Sequence, residues 1–350
     1  MTIGTFHPPI RTLMGPGPSC VSDSVYQALA KPTLGHLDPE FISLMDDIKD
    51  HLRELMHTEN KLTVPVSGTG SAGMETCFVN LVEPGDKVLI LINGVFGTRM
   101  EDVASRLGAE VNSLNFDWGT PVLLDQVKNQ LAGIKYDLVA VVHAETSTGV
   151  CNPIKEIGEM VNENGALYLV DCVTSLGGMD VKMDDWQIDA LYSGTQKCLS
   201  CPPGLAPVSF SDRAVEKLMS RKTKVPNWYL DLSMIIQYWS GTARVYHHTA
   251  PINMLYGLYQ ACYNVLNEGL ENVIQRHLKM HQMLADELDN LGLELFVEES
   301  ARLPMLNAVK IPEGVNDVDV RSRLLNEFHI EIGGGLGPLS DKIWRIGLMG

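Results

Sequence analysis

Short apolar runs alternate with helix-patterned stretches through the first two thirds of the chain, and this alternation restricts the fold more than any other feature. The runs at 62–66, 87–92, 138–143, 166–171, 190–193 and 205–210 read as strands. Several are apolar on both faces, as strands must be when helices cover a sheet on both sides. The stretches at 39–57, 73–81, 96–107 and 153–162 have the spacing of such helices. The expectation is an α/β fold with a mostly parallel sheet and right-handed crossovers. Beyond Tyr246 the pattern changes. A helical region runs from 253 to 291 with a break near Gly269, followed by strand-like pieces around Leu295 and at 308–311. A helix at 316–328, capped by Asn316, and a last extended piece at 329–332 follow. This reads as an N-terminal arm (1–20), a large domain (21–268) and a smaller α+β C-terminal domain (269–350), without repeats or low-complexity linkers.

Composition narrows the function classes. Forty-three acidic residues against 27 basic ones give a formal charge of −16 over 350 residues. With its cations scattered, such a chain repels nucleic acid and anionic lipid. No apolar run approaches the roughly 20 residues of a membrane span, and the first residues lack the basic and apolar regions of a secretory signal. Seven dispersed cysteines fit reduced thiols better than a disulfide framework. A cytoplasmic chain is expected.

Ser67-Gly68-Thr69-Gly70-Ser71-Ala72-Gly73 follows a strand and opens a helix. Glycines there let a ligand approach the backbone, and the free N–H groups of a helix start attract phosphate. The three glycines spell G-x-G-x-x-G, but a dinucleotide site also needs an acid at the end of the next strand. That strand ends Leu91-Ile92-Asn93-Gly94, without one. The alternatives are a phosphate cradle and a glycine turn needed only for packing, and the cradle is favoured.

Asp171 ends an apolar run, where a carboxylate is costly unless a positive group meets it. Lys197 stands just past the next strand in Ser193-Gly194-Thr195-Gln196-Lys197-Cys198-Leu199. Desolvation there lowers a lysine's pKa and frees its amine for imine chemistry. Singly, Asp171 reads as a helix cap and Lys197 as a surface lysine. In order with the cradle, they describe a pyridoxal phosphate site. Cys198-x-x-Cys201 lacks a second ligand pair for zinc. His277 and His281 lack the intervening glutamate of a metalloprotease and read as a solvated helix face. His247-His248 reads as structural, lining a subunit contact. No nucleophile elbow is present.

These blocks, together with Leu13 to Ser19, Leu34 to Pro39, Glu83 to Asp86, His143 to Gly149, Tyr246 to Thr249 and Trp344 to Gly347, make nearly the whole chain resemble the class V aminotransferases of fold type I. The alanine–glyoxylate and serine–pyruvate (serine–glyoxylate) aminotransferases are the nearest in pattern. The resemblance implies a PLP-dependent transferase fold with a seven-stranded, mostly parallel sheet. It makes Lys197 the lysine that forms the imine and moves the substrate's proton, and Asp171 the partner of the pyridine nitrogen. Thr69, Gly70, Ser71 and Gln196 would bind the cofactor phosphate, Phe96 would stack on the ring, and Thr146 and Val173 would complete its surroundings. Tyr246 and Thr249 would reach the phosphate of the neighbouring subunit, which implies a homodimer with shared sites. Arg345 would grip the substrate carboxylate, since a guanidinium binds a carboxylate bidentately and keeps its charge.

The family leaves the amino donor open. Ureidoglycine–glyoxylate aminotransferases share much of the pattern but carry asparagine where Tyr246 stands and glutamine where His36 stands. Amides suit a ureido group, so Tyr246 and His36 point instead to alanine or serine as donor and to glyoxylate or pyruvate as acceptor. A lyase or cysteine desulfurase shares the Asp–Lys pair, but the small domain shows no glycine-rich cysteine loop. No DNA-binding appendage supports a regulatory role. The chain stops at Gly350, where the family continues through a further helix. A shortened small domain is therefore expected, with Arg345 near a fraying end, and a peroxisomal C-terminal address stays open.

Overall fold

The computed structural model describes residues 4–241 and 244–350, so the first three residues of the expected arm lie outside it. Fourteen strands are present: β1 (Thr12–Leu13), β2 (Leu62–Ser67), β3 (Lys87–Ile92), β4 (Glu110–Asn115), β5 (Leu138–Val142), β6 (Ala144–Glu145), β7 (Val150–Cys151), β8 (Leu167–Asp171), β9 (Ala190–Tyr192), β10 (Leu205–Phe210), β11 (Leu306–Lys310), β12 (Ile330–Glu331), β13 (Gly333–Gly334) and β14 (Ile343–Gly347). The helices are α1 (Asp23–Leu29), α2 (Pro39–Met56), α3 (Gly70–Leu81), α4 (Val95–Arg106), α5 (Leu124–Gly133), α6 (Ile154–Asn164), α7 (Asp212–Met219), α8 (Leu232–Trp239), α9 (Ile252–Glu268), α10 (Leu270–Asn290) and α11 (Asp317–Glu327). These counts refer to the described residues.

The central sheet has seven strands in the order β2-β10-β9-β8-β5-β3-β4. All its pairings are parallel except those of β10, which runs antiparallel to both β2 and β9. Every residue of β5, β8, β9 and β10 is buried, the physical reason these strands read as unbroken apolar runs. One core cluster packs the sheet against the helices, α2 contributing Phe41, Met45, Ile48 and Leu52 and α3 contributing Cys77 and Phe78. The parallel strands β8 and β3 end at Asp171 and Ile92, and α3 starts directly after β2. Loops therefore gather at one edge of the sheet, where α/β folds place their sites.

A second sheet, β11-β14-β13, packs Trp344, Val309 and Leu288 in a cluster of its own. The helical region breaks at Gly269 (φ 88°) between α9 and α10, and the Asn316 side chain caps α11 by accepting from Asp319 N at 3.0 Å. The structure places Arg345 inside a strand. It lies 6% exposed in the middle strand of this sheet, whose end is tied back by Gly347 N–H donating to the Met14 carbonyl at 2.7 Å. The arm also reaches this unit, because β1 pairs with β12.

The structure corrects the helix-face reading of His277. It is 1% exposed and donates from Nδ1 to the Val273 carbonyl at 2.8 Å. His281 is half-buried and meets Asn307 Oδ1 of β11 at 2.6 Å, so neither histidine stands on a freely solvated face. All seven cysteines are unpaired. Among the described residues, no helix is long and apolar enough to cross a membrane.

Candidate active site

A cavity of about 200 Å³ opens at the loop edge of the sheet. Thr69, Gly70, Ser71, Phe96, Thr146, Asp171, Val173, Gln196 and Lys197 all line it, so nine of the residues singled out from the sequence share one space. At one end α3 begins without a side-chain cap, leaving first-turn N–H groups to face a ligand. Gly68 makes that turn possible: its φ is +141° and a Cβ would stand 2.5 Å from Ala72 Cβ. The Thr69 and Ser71 hydroxyls flank the helix start. Gln196 also lines the cavity, with its Oε1 buried and without a partner. Hydroxyls, amides and a helix N-terminus, with no carboxylate among them, form a cradle for an anion.

Asp171 stands at the end of β8, 5% exposed. Its Oδ1 accepts from Val173 N at 2.8 Å and its Oδ2 from the Tyr192 hydroxyl at 2.7 Å. Burial pushes its pKa up to about 6, and these two donors with the Lys197 charge hold it below a still higher value. Burial in turn pushes Lys197 down to about 8, against the pull of Asp171. Lys197 Nζ donates to the Pro16 carbonyl. Ser19 N and Oγ bond the carbonyls of Gln196 and Lys197 at 2.9 and 2.8 Å. The N-terminal arm is thus tied across the lysine, and Gly17 (φ +102°) allows it, since a Cβ there would lie 2.7 Å from Lys197 Cδ.

Arg345 reaches the site from β14. Its Nε donates to the Gly334 carbonyl at 2.7 Å and its Nη1 to the Thr146 carbonyl at 3.2 Å. A guanidinium has five donors, and the remaining ones are available to a carboxylate. Burial pushes its pKa down to about 10, so it stays charged at neutral pH.

A family model described as Aminotransferase class-V matches residues 22–338. The chain belongs to the class-V aminotransferases. It is 42% identical to an alanine–glyoxylate aminotransferase of Rattus norvegicus over 98% of this chain and 83% of that protein. To an (S)-ureidoglycine–glyoxylate transaminase of Bacillus subtilis the identity is 40%, over 98% and 86%. The crystal structure of an alanine–glyoxylate aminotransferase from Nostoc sp. superposes with a TM-score of 0.98 at 49% identity, covering all of this chain and 93% of the other.

In this class-V aminotransferase His36, Tyr246 and Thr249 do not line the Lys197 cavity. They form a separate group: the His36 and Tyr246 rings are 5.2 Å apart and the Tyr246 and Thr249 hydroxyls 3.4 Å apart. Of the residues at the site that escaped sequence reasoning, four make contacts that matter to its geometry. Tyr192 bonds Asp171, Arg99 lies over the Phe96 ring at 5.0 Å and lines the cavity, Pro16 holds Lys197, and Glu145 sits behind Thr146. None carried a clear signal; Glu145 stands in the polar run His143 to Gly149, which the structure nevertheless buries.

Proposed function

We propose that this aminotransferase moves the amino group of alanine or serine to glyoxylate or pyruvate, with pyridoxal 5′-phosphate held in the Lys197 cavity. The observation that carries the reading is a buried lysine with a lowered pKa on the same small cavity as a buried carboxylate and an anion cradle. The residues fit the group: the uncapped start of α3 with Thr69, Gly70 and Ser71, beside which the Gln196 NH2 can donate, suits its phosphate, and Phe96 and Val173 suit the faces of its ring. When bound, pyridoxal phosphate supplies an aldehyde for an amine to join and a ring that accepts electrons.

Lys197 serves first as the amine and then, once released, as the base that takes the proton from the substrate Cα. Asp171 provides the negative charge that keeps a proton on the ring nitrogen, and a cation against it holds it ionised despite its burial. Arg345 clamps the α-carboxylate, which fixes the Cα–H bond relative to Lys197 Nζ. Tyr246 and Thr249, outside their own chain's cavity, serve the phosphate of a second subunit in a homodimer. His36 and Tyr246 contact the donor's side chain. The large domain (21–268) holds the cofactor, and the small domain (269–350) brings Arg345 to it.

A second reading, ureidoglycine as donor, is favoured by the Bacillus subtilis relative. The test is the visible spectrum of the protein loaded with pyridoxal phosphate. Alanine or serine should bleach its yellow band and glyoxylate should restore it. Bleaching by ureidoglycine alone replaces the donor assignment, and no bleaching by any of the three overturns the transamination reading.

A further inference from the structure

Glu145 lies in the β6–β7 hairpin, fully buried, and it forms no ion pair among the described residues. Four hydrogen-bond donors converge on it. Oε2 accepts from Phe96 N at 3.2 Å and Gly97 N at 3.4 Å, and Oε1 accepts from Ser147 N at 3.1 Å and Ser147 Oγ at 2.5 Å. Ser147 Oγ in turn accepts from Val95 N at 2.9 Å. Val95, Phe96 and Gly97 are the first three residues of α4, whose N–H groups have no partner within the helix. The residue before a helix ordinarily supplies the cap. Here that residue is Gly94, and any Cβ on it would collide with Glu145 Cδ and Cγ. The cap has moved from the chain neighbour to a carboxylate 49 positions away.

We propose that Glu145 is a positioning residue for cofactor binding: with Ser147 it replaces the missing cap of α4 and so fixes the depth at which the Phe96 ring meets the cofactor ring. The proposal rests on the reading that the cavity holds pyridoxal phosphate. Three of the four donors are backbone N–H groups, which need the carboxyl oxygens as acceptors, whereas the Ser147 hydroxyl can donate to or accept from the carboxyl. The charged and titratable groups around Glu145 are Asp171 from β8, Tyr192 from β9, Lys197 and Arg345. Burial and Asp171 push its pKa up, to about 7, while the hydrogen bonds from Ser147 and Gly97 oppose them.

The test is a double-mutant cycle read by the affinity of the apoprotein for pyridoxal phosphate, with the induced circular dichroism of the bound cofactor as a second signal. Glu145→Ala should weaken binding about tenfold, the size of a lost cap, and Ser147→Ala by a smaller factor. Both should change the dichroism. If Glu145 acts through Phe96, adding Glu145→Ala to Phe96→Ala should cost no more than about twofold. Losses that multiply in the double variant, or an unchanged affinity in Glu145→Ala, overturn the proposal. Should Glu145→Ala not fold, the Ser147→Ala and Phe96→Ala cycle decides in the same way. Failure of the unmutated protein to bind pyridoxal phosphate would instead remove the functional reading itself.

Discussion

A lysine amine reacts with a carbonyl only after losing its proton, and burial does most of that work at Lys197. With a pKa of about 8, about a tenth of the amine is free at pH 7 and about nine-tenths at pH 9. The rate at which the apoprotein takes up pyridoxal phosphate, followed by stopped-flow absorbance, should therefore rise about tenfold over that interval and then level off. A rate still climbing above pH 10 would mean an ordinary, solvated amine. Arg345→Ala removes charge-assisted bonds worth about 1.5–3 kcal/mol. KM for alanine and serine should both rise, by about ten- to a hundredfold. A rise for one donor alone would show that Arg345 reads the side chain. Residues such as Asp171 and Lys197 were legible because a charge at the end of an apolar strand is conspicuous in one dimension. The Pro16 carbonyl that holds Lys197 was not, since the two residues are 181 positions apart and a proline carbonyl has no sequence signature.

Elements were legible in proportion to their burial. The strand expected at 87–92 matches β3 and that at 205–210 matches β10, since buried strands announce themselves as apolar runs. The edge strand β4, with sequence EVNSLN, has no fully buried residue and so no such run. The helices α1, α5, α7 and α8 have at most ten residues each, too few turns for a clear period. The expected helix at 73–81 starts earlier, at Gly70, because glycines that look like a loop in sequence here form the first turn. That turn is the cradle, so its geometry is open to test. Gly68→Ala forces a side chain into a φ of +141° against Ala72, a strain of about 1–3 kcal/mol. Affinity for pyridoxal phosphate and for inorganic phosphate as its competitor should both fall. A loss confined to thermal stability would place the strain outside the cradle.

At the scale of the whole molecule, one chain holds two separate groups of the residues read from the sequence. The Lys197 cavity contains nine of them, whereas Tyr246 is 56% exposed beside His36 and Thr249. Nothing in a single sequence states which copy a side chain will serve, so the assignment of Tyr246 and Thr249 to a neighbouring subunit rests on the family resemblance alone. If Tyr246 and Thr249 complete a neighbour's site, two inactive chains should rescue each other. In a mixture of Lys197→Ala with Tyr246→Phe/Thr249→Ala, half the dimers are mixed and each has one intact site, so about a quarter of full activity should return. No recovery after verified exchange would keep those residues within their own chain's chemistry. The most direct test of the central claim is chemical. The protein loaded with pyridoxal phosphate is reduced with borohydride, which fixes a lysine–aldehyde linkage, and the digested peptides are weighed. The account predicts the pyridoxyl group on Lys197; its appearance on another lysine, or on none, would contradict it.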